Sequence, residues 1–250
     1  MNREQQYEAN KAYIEAEGLD KIIPFFSQDT SATGQTPIAP QAEELVRLHK
    51  LIRSRKCFTA IEFGVGFSTV VMADALYKNK QDWENKGETK TLRNRFLFQL
   101  FSVDASQQWL DTARSRVPEH LLAHCNFHYS DVKIGQHQGQ LCHFYETLPD
   151  VIADFIYLDG PAPQDVKGNV NGLSFQCHER TVISADLLLM ETTFLPGTFI
   201  IIDGRTNNAR FLQRNFTRNY TMFWDRENDL TTFELNEERL GPHNILGTDD

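Results

Sequence analysis

Two hundred and fifty residues, 40% hydrophobic and 11% aromatic, supply enough material for one large α/β domain with a packed core, which excludes general disorder. Acidic residues outnumber basic ones by 34 to 25, a net charge of −9, which argues against a broad nucleic-acid footprint. No stretch reaches the roughly 18 uncharged apolar residues of a membrane span, and the polar N-terminus MNREQQYEANKAYIEAEG lacks a signal peptide's apolar core, so the cytoplasm is the expected compartment.

In chain order, residues 1–20 read as a polar helix with a mildly apolar stripe of Ala9, Ala12, Tyr13 and Ala16. The segment SQDTSATGQTPIAP that follows is rich in Ser, Thr, Gly and Pro and reads as a loop. In QAEELVRLHKLIRS, Leu45, Leu48, Leu51 and Ile52 recur at helical spacing. From residue 58 onward two signals alternate. Short runs rich in Ile, Val and Phe at 58–63, 100–104, 126–130, 153–158 and 198–202 read as strands. The segments 68–78, 106–116, 178–193 and 206–217 between them read as helices, which implies βαβ units and a parallel sheet. The stretch KNKQDWENKGETKTLRNR is a charge-rich insertion, a solvated loop or a helix extension. NYTMFWD, REND and LTTFEL form a closing hairpin. The expected fold is α/β: a Rossmann-like, doubly wound, mostly parallel seven-stranded sheet with a C-terminal antiparallel hairpin strand. An N-terminal helical extension over 1–56 precedes the main domain at 57–250. Cys57, Cys125, Cys142 and Cys177 make no C-x-x-C pair and read as reduced thiols.

The chemistry-bearing residues fall at the carboxyl ends of the expected strands, where parallel sheets bind ligands. In FTAIEFGVGFST, Gly64 and Gly66 allow a sharp turn and close ligand approach, and Glu62 offers an acceptor to a polar or cationic group. An ordinary tight strand-to-helix turn is the plainer alternative. FSVDAS ends a strand on Asp104, suited to a ribose diol. Asp104 could instead cap the next helix, but Ser106 is available for that. FHYSDV places Asp131 at a third strand end, as an acceptor for an adenine amino group or as a turn aspartate. A dinucleotide fingerprint would need a third glycine where Thr69 stands, and Glu62 would repel a pyrophosphate.

The ordered set IEFGVGFST, FSVDAS, YSDV, DFIYLDGP and TFIIIDG resembles the class I S-adenosylmethionine-dependent methyltransferases over roughly residues 40–236. The resemblance implies S-adenosylmethionine as cofactor. Glu62, Gly64, Gly66 and Ser68 would line its methionine part, Asp104 with Ala105 its ribose, and Asp131 with Val132 its adenine. Asp159 of DGP would lie beside the transferred methyl. The pattern departs at the third glycine, where Phe67-Ser68 stand.

Methyl transfer to a hydroxyl needs an in-line nucleophile and a proton acceptor. Asp159, Asp203 and His178 are the candidate catalytic residues. Asp159 and Asp203 are also candidate ligands for a divalent cation such as Mg, although Gly204 follows Asp203 where metal-dependent relatives carry a further acid or Asn. Arg205, Asn208 and Arg210 suit an anionic small-molecule acceptor or else a solvated first helical turn. The N-terminal GQTPIAP loop and helix are expected to cover the cleft, or to form a homodimer contact. The expected function is methyl transfer to a hydroxyl of a small polar, anionic or sugar-like acceptor, with no nucleic-acid or membrane partner. A non-catalytic S-adenosylmethionine-binding protein and a nicotinamide-dependent oxidoreductase are the competing readings.

Overall fold

In the computed structural model, which describes residues 3–23, 42–87, 92, 94–177 and 179–239, the chain is organised around strand β1 (Thr59–Phe63). All five of its residues are buried, as expected for a parallel strand covered on both faces. It pairs in parallel with β2 (Gln99–Asp104) and with β6 (Phe155–Leu158). Strand β3 (Cys125–Tyr129) extends the sheet beyond β2, and β8 (Phe199–Asp203) extends it beyond β6. Antiparallel β10 (Leu230–Leu235) and the edge strand β9 (Tyr220–Asp225) complete the seven-stranded order β3-β2-β1-β6-β8-β10-β9. This is the mostly parallel sheet with a closing antiparallel hairpin that the sequence predicts. The strand order reverses between β1 and β6, which places a crevice at their carboxyl ends.

Alternation along β1 sends Ala60 to one face and Ile61 and Phe63 to the other. On the first face, helices α2 (Ala42–Ser54) and α3 (Phe67–Asn85) bury Leu45, Leu48, Ile52, Val70 and Leu76 against Ala60, Leu100, Phe155 and Ile201. Helix α2, which the sequence reading assigns to an extension over 1–56, packs directly on the sheet helix α3. On the opposite face, Ile61, Phe63, Ile156 and Ile200 pack against α7 (Thr206–Asn215) and the short α6 (Asp186–Met190). Helices α4 (Gln107–Arg116) and α5 (Glu119–Leu122) connect β2 to β3. Helix α1 (Arg3–Glu17) buries Ile14 beside Val46; Ala9, Ala12 and Ala16 of the expected stripe are exposed. Tyr13 instead reaches inward, its hydroxyl 2.7 Å from Nδ1 of the buried His49, whose Nε2 lies 2.9 Å from Asp74.

Three features that the sequence pattern misplaces or leaves open have physical causes. The segment 178–193 is not one helix: among its described residues, α6 covers Asp186–Met190 and a 3-10 turn covers Glu191–Thr193. The backbone before α6 is drawn away from helix by pairing with residue 143, the His143 N–H donating to the Ile183 carbonyl at 2.8 Å and the Ala185 N–H to the His143 carbonyl at 3.0 Å. Second, of the two readings of the charge-rich insertion, the helix extension holds over 78–85: α3 runs on through KNKQDWEN, where Trp83 packs on Phe58 at 5.2 Å between ring centroids. Third, a second sheet, β5-β4-β7, is built from β4 (Val132–His137), β5 (Gln140–Tyr145) and β7 (Val166–Lys167). Its hairpin turns at Gln138 and Gly139, both at positive φ (48° and 76°), the backbone of a tight two-residue turn. Among the described residues no helix is long and apolar enough to cross a membrane, and all four cysteines are free thiols. The GQTPIAP loop and His178 lie outside the described residues.

Candidate functional site

The loop after β1 is shaped by two glycines with different reasons to be glycine. Gly64 has φ +92°, and a Cβ there would stand 2.8 Å from the Gly160 nitrogen. Conversely, a Cβ on Gly160 would stand 2.5 Å from the Gly64 nitrogen. The loops after β1 and β6 therefore touch backbone to backbone. At Gly66 a Cβ would meet nothing nearer than Ser68 Oγ at 4.0 Å, so this glycine leaves an open face. Gly66 also begins α3, leaving the first N–H groups of that helix without intrahelical partners.

Glu62 lies behind this loop. Its side chain is fully buried and accepts hydrogen bonds from Ser68 Oγ (2.7 Å), Thr69 Oγ1 (2.5 Å) and Ser102 Oγ (2.6 Å). Burial pushes the Glu62 carboxyl up to about 7, and the three hydroxyl donors pull the other way. The sequence pattern points Glu62 and Ser68 towards a cofactor; in the structure they are bonded to each other and tie β1, β2 and α3 together.

Asp104 ends β2 and is 8% exposed. One carboxylate oxygen accepts from the Val65 N–H at 3.1 Å and the other from the Ser106 N–H at 2.8 Å. Ser106 supplies the side-chain cap of α4, accepting from the Trp109 N–H, so the competing cap role is filled without Asp104. Asp104 thus joins the glycine loop to the start of α4, with Ala105 half-buried beside it. Asp131 stands just beyond β3, where its Oδ1 accepts from the Tyr129 hydroxyl (2.8 Å) and Lys167 Nζ (2.6 Å), which together hold its carboxyl below the usual range. Val132 is fully buried in the core and opens β4.

Asp159 and Asp203 stand at the carboxyl ends of neighbouring strands β6 and β8. Desolvation raises the Asp159 carboxyl to about 6; Arg205 opposes this, and the charges of Asp203 and Asp104 add to it. Desolvation, then the Glu44 charge, raises Asp203 to about 6 as well, against the pull of Arg47. Glu44, in the first turn of α2, accepts from the Tyr157 hydroxyl at 2.5 Å, and it is raised by burial and by the charge of Asp159. No sequence signal marks Glu44, since an acid in a helix's first turn is ordinary. Four acids from four elements thus sense one another around the crevice.

Arg205 is fastened to the turn after β6. Its guanidinium donates to the Asp159 and Pro161 carbonyls, and its Nε lies 3.6 Å from the Asp159 carboxylate. Asn208, expected to face substrate, is 1% exposed: its Nδ2 donates to the Ser184 carbonyl at 3.0 Å and its Oδ1 accepts from the Ser184 N–H at 2.8 Å. Among the described residues no group of three His, Cys, Asp or Glu side chains is arranged to hold a metal ion. Asp159 and Asp203 therefore lack a third ligand of that kind, and Asp159 is paired with Arg205.

No protein-family model and no curated protein matches the sequence. The fold is similar to solved methyltransferases. The S-adenosylhomocysteine-bound methyltransferase PaMTH1 of Podospora anserina aligns over 95% of this chain and 97% of its own, with TM-score 0.51 and 11% identity. The O-methyltransferase TomG of Streptomyces achromogenes, solved with S-adenosylmethionine, aligns over 95% of this chain and 100% of its own, with TM-score 0.44 and 14% identity. The likeness to PaMTH1, with the sheet order above, identifies a class I methyltransferase fold.

Proposed function

We propose that this chain is an S-adenosylmethionine-dependent methyltransferase acting on a hydroxyl of a small polar acceptor. The observation that carries the reading is the placement of Asp104, Asp159 and Asp203 at the ends of β2, β6 and β8 beside the Gly64–Gly66 loop, with Glu44 near Asp203 and with Arg205 and Arg47 as the opposing charges. Acids so placed attract a ligand with a cationic centre and repel a pyrophosphate, which disfavours a nicotinamide dinucleotide. Asp104 would accept from the ribose hydroxyls on the lone pairs its two backbone bonds leave free, and Asp131 would bound the adenine end. Gly66 would admit the amino acid tail, with Glu62 holding the loop in shape. When bound, the sulfonium supplies an electrophilic methyl group.

The chain's own contribution to the chemistry is to orient the acceptor and to take its proton. Asp159 suits the second role, because its side chain is 53% exposed beside the crevice and, with a carboxyl at about 6, it is ionised at neutral pH. Arg205 holds the Asp159 turn by its carbonyl groups, which fixes where the carboxylate stands. Asp159→Asn should lower methyl transfer by about a hundredfold or more, while S-adenosylhomocysteine binding stays near the wild-type value. Wild-type activity should fall as the pH drops through about 6, as the base becomes protonated. Both effects can be read from S-adenosylhomocysteine release with a panel of phenols, hydroxybenzoates and sugar phosphates. An Asp159→Asn enzyme as fast as wild type would remove the proton-acceptor role.

A further inference from the structure

A cavity of about 450 Å³ is lined by α7, the start of β5 and the residues Phe175, Glu179, Arg180, Thr181 and Ile183. This size falls within the roughly 300–1,000 Å³ of small-molecule sites. Its polar wall carries Arg180, Arg210 and Arg214, with Glu179 as the opposing charge, in a protein whose net charge is −9. Arg210 and Arg214 stand four residues apart and so share one face of α7. Among the described residues neither guanidinium has a hydrogen-bond or ion-pair partner; Arg210 only rests 5.8 Å from the centroid of Trp224. Arg180 donates to the Ser174 carbonyl, which anchors it at the rim. The apolar part of the lining is the half-buried Leu141 and Ile183, over the buried rings of Phe175 and Phe211.

Two guanidiniums with no hydrogen-bond or ion-pair partner among the described residues, beside the apolar side chains of Leu141 and Ile183, match a ligand with an anionic head and a ring or hydrocarbon body. The cavity is linked to the site described above through packed core side chains. The Phe175 ring meets the ring of the buried His143 at 6.0 Å between centroids, and the charge of Arg205 reaches that histidine. Arg205 opens α7, and at 1.5 Å per residue Arg210 lies only about 7.5 Å further along the helix axis. Asn207 Nδ2 donates to Thr181 Oγ1 at 3.2 Å, joining α7 to Thr181 within the cavity lining. We propose that this cavity binds the phosphate or carboxylate end of an acceptor with an apolar body, Arg210 and Arg214 being the anion-binding pair. That the ligand is the methyl acceptor rests on the function proposed above; the anion site itself does not.

The test is calorimetric titration of the full-length protein with phenyl phosphate, benzoate and phenol, repeated on Arg210→Gln/Arg214→Gln, with S-adenosylhomocysteine titrated into both. The expected result is that at least one anion binds at least tenfold tighter than phenol. The double variant should lose that affinity about a hundredfold, and S-adenosylhomocysteine affinity should be unchanged. The stronger of the two anions identifies the head group. Phenol binding as well as the anions, anion binding that survives the double substitution, or no anion binding at all would each overturn the proposal. If the anions behave as expected but S-adenosylhomocysteine binds neither protein, the cavity stands as an anion site and the methyltransferase reading falls.

Discussion

Gly64→Ala is expected to lower the thermal midpoint by roughly 6–12 °C, the equivalent of about 3 kcal/mol in a protein of this size. The backbone at Gly64 sits at φ +92°, which costs an L-residue roughly 1–2 kcal/mol. The new Cβ would also meet the Gly160 nitrogen at 2.8 Å, the Gly160 Cα at 3.0 Å and the Asp159 carbonyl carbon at 3.1 Å. These are main-chain atoms that cannot rotate away, and relieving such overpacking costs roughly 1–3 kcal/mol. Gly66→Ala should behave in the opposite way. Its Cβ meets only Ser68 Oγ at 4.0 Å, so the midpoint should hold, while adenosyl-ligand affinity falls because the methyl group occupies the open face of the loop. Thermal denaturation and a binding titration on the two variants separate the effects. A stable Gly64→Ala protein, or an unimpaired Gly66→Ala one, would contradict this division of roles.

Stability should rise as the pH is lowered from 8 towards 5, and Glu62→Gln should flatten that slope. Burial raises three carboxyls to about 7: Glu62, held by three hydroxyls; Asp154, held by the Phe58 and Thr59 N–H groups; and Asp186, held by the Tyr145 N–H and Ser184 Oγ. Each binds a proton more tightly folded than unfolded. The stability they contribute is therefore complete below the unfolded carboxyl range near 4 and is lost as the pH rises through about 7. The size is on the order of a few kcal/mol per group, since a tenfold change in proton affinity is worth about 1.4 kcal/mol. Below about pH 4 the sign reverses through carboxyls held low by partners, such as Asp74 beside His49 and Lys78. Glu62→Gln keeps the shape and an acceptor for the hydroxyls but cannot ionise. It should match wild type near pH 5 and exceed it near pH 8, read as thermal midpoints in matched buffers. A wild-type midpoint that climbs from pH 5 to 8 would contradict the sign.

The inner strands β2, β1, β6 and β8 are legible in the sequence because they are buried on both faces and read as apolar runs rich in Ile, Val and Phe, with helical spacing between them. Strands ending in an acid, as at Asp104, Asp159 and Asp203, place three of the crevice carboxyls correctly at strand ends. The second sheet escapes because β4 and β5 are half-buried and join at Gln138-Gly139, not at the Asn-Gly or Asp-Gly pair that marks such a turn. The segment before α6 misleads because its spacing suits a helix, whereas pairing with residue 143 holds part of it along β5. Nor does spacing disclose partners. Glu62, Arg205 and Asn208 all have chemistry that suits a ligand, and in the fold each is bonded to its own chain. The arginine-lined cavity depends on 140–141, 175–183 and 207–214 coming together, which no local pattern announces.

Isothermal titration of the purified protein with S-adenosylmethionine and, separately, with NAD tests the methyltransferase reading most directly. The acids at the β1–β6 switch predict micromolar binding of S-adenosylmethionine and none of NAD. Binding of NAD, or of neither ligand, would contradict that reading and leave only the fold.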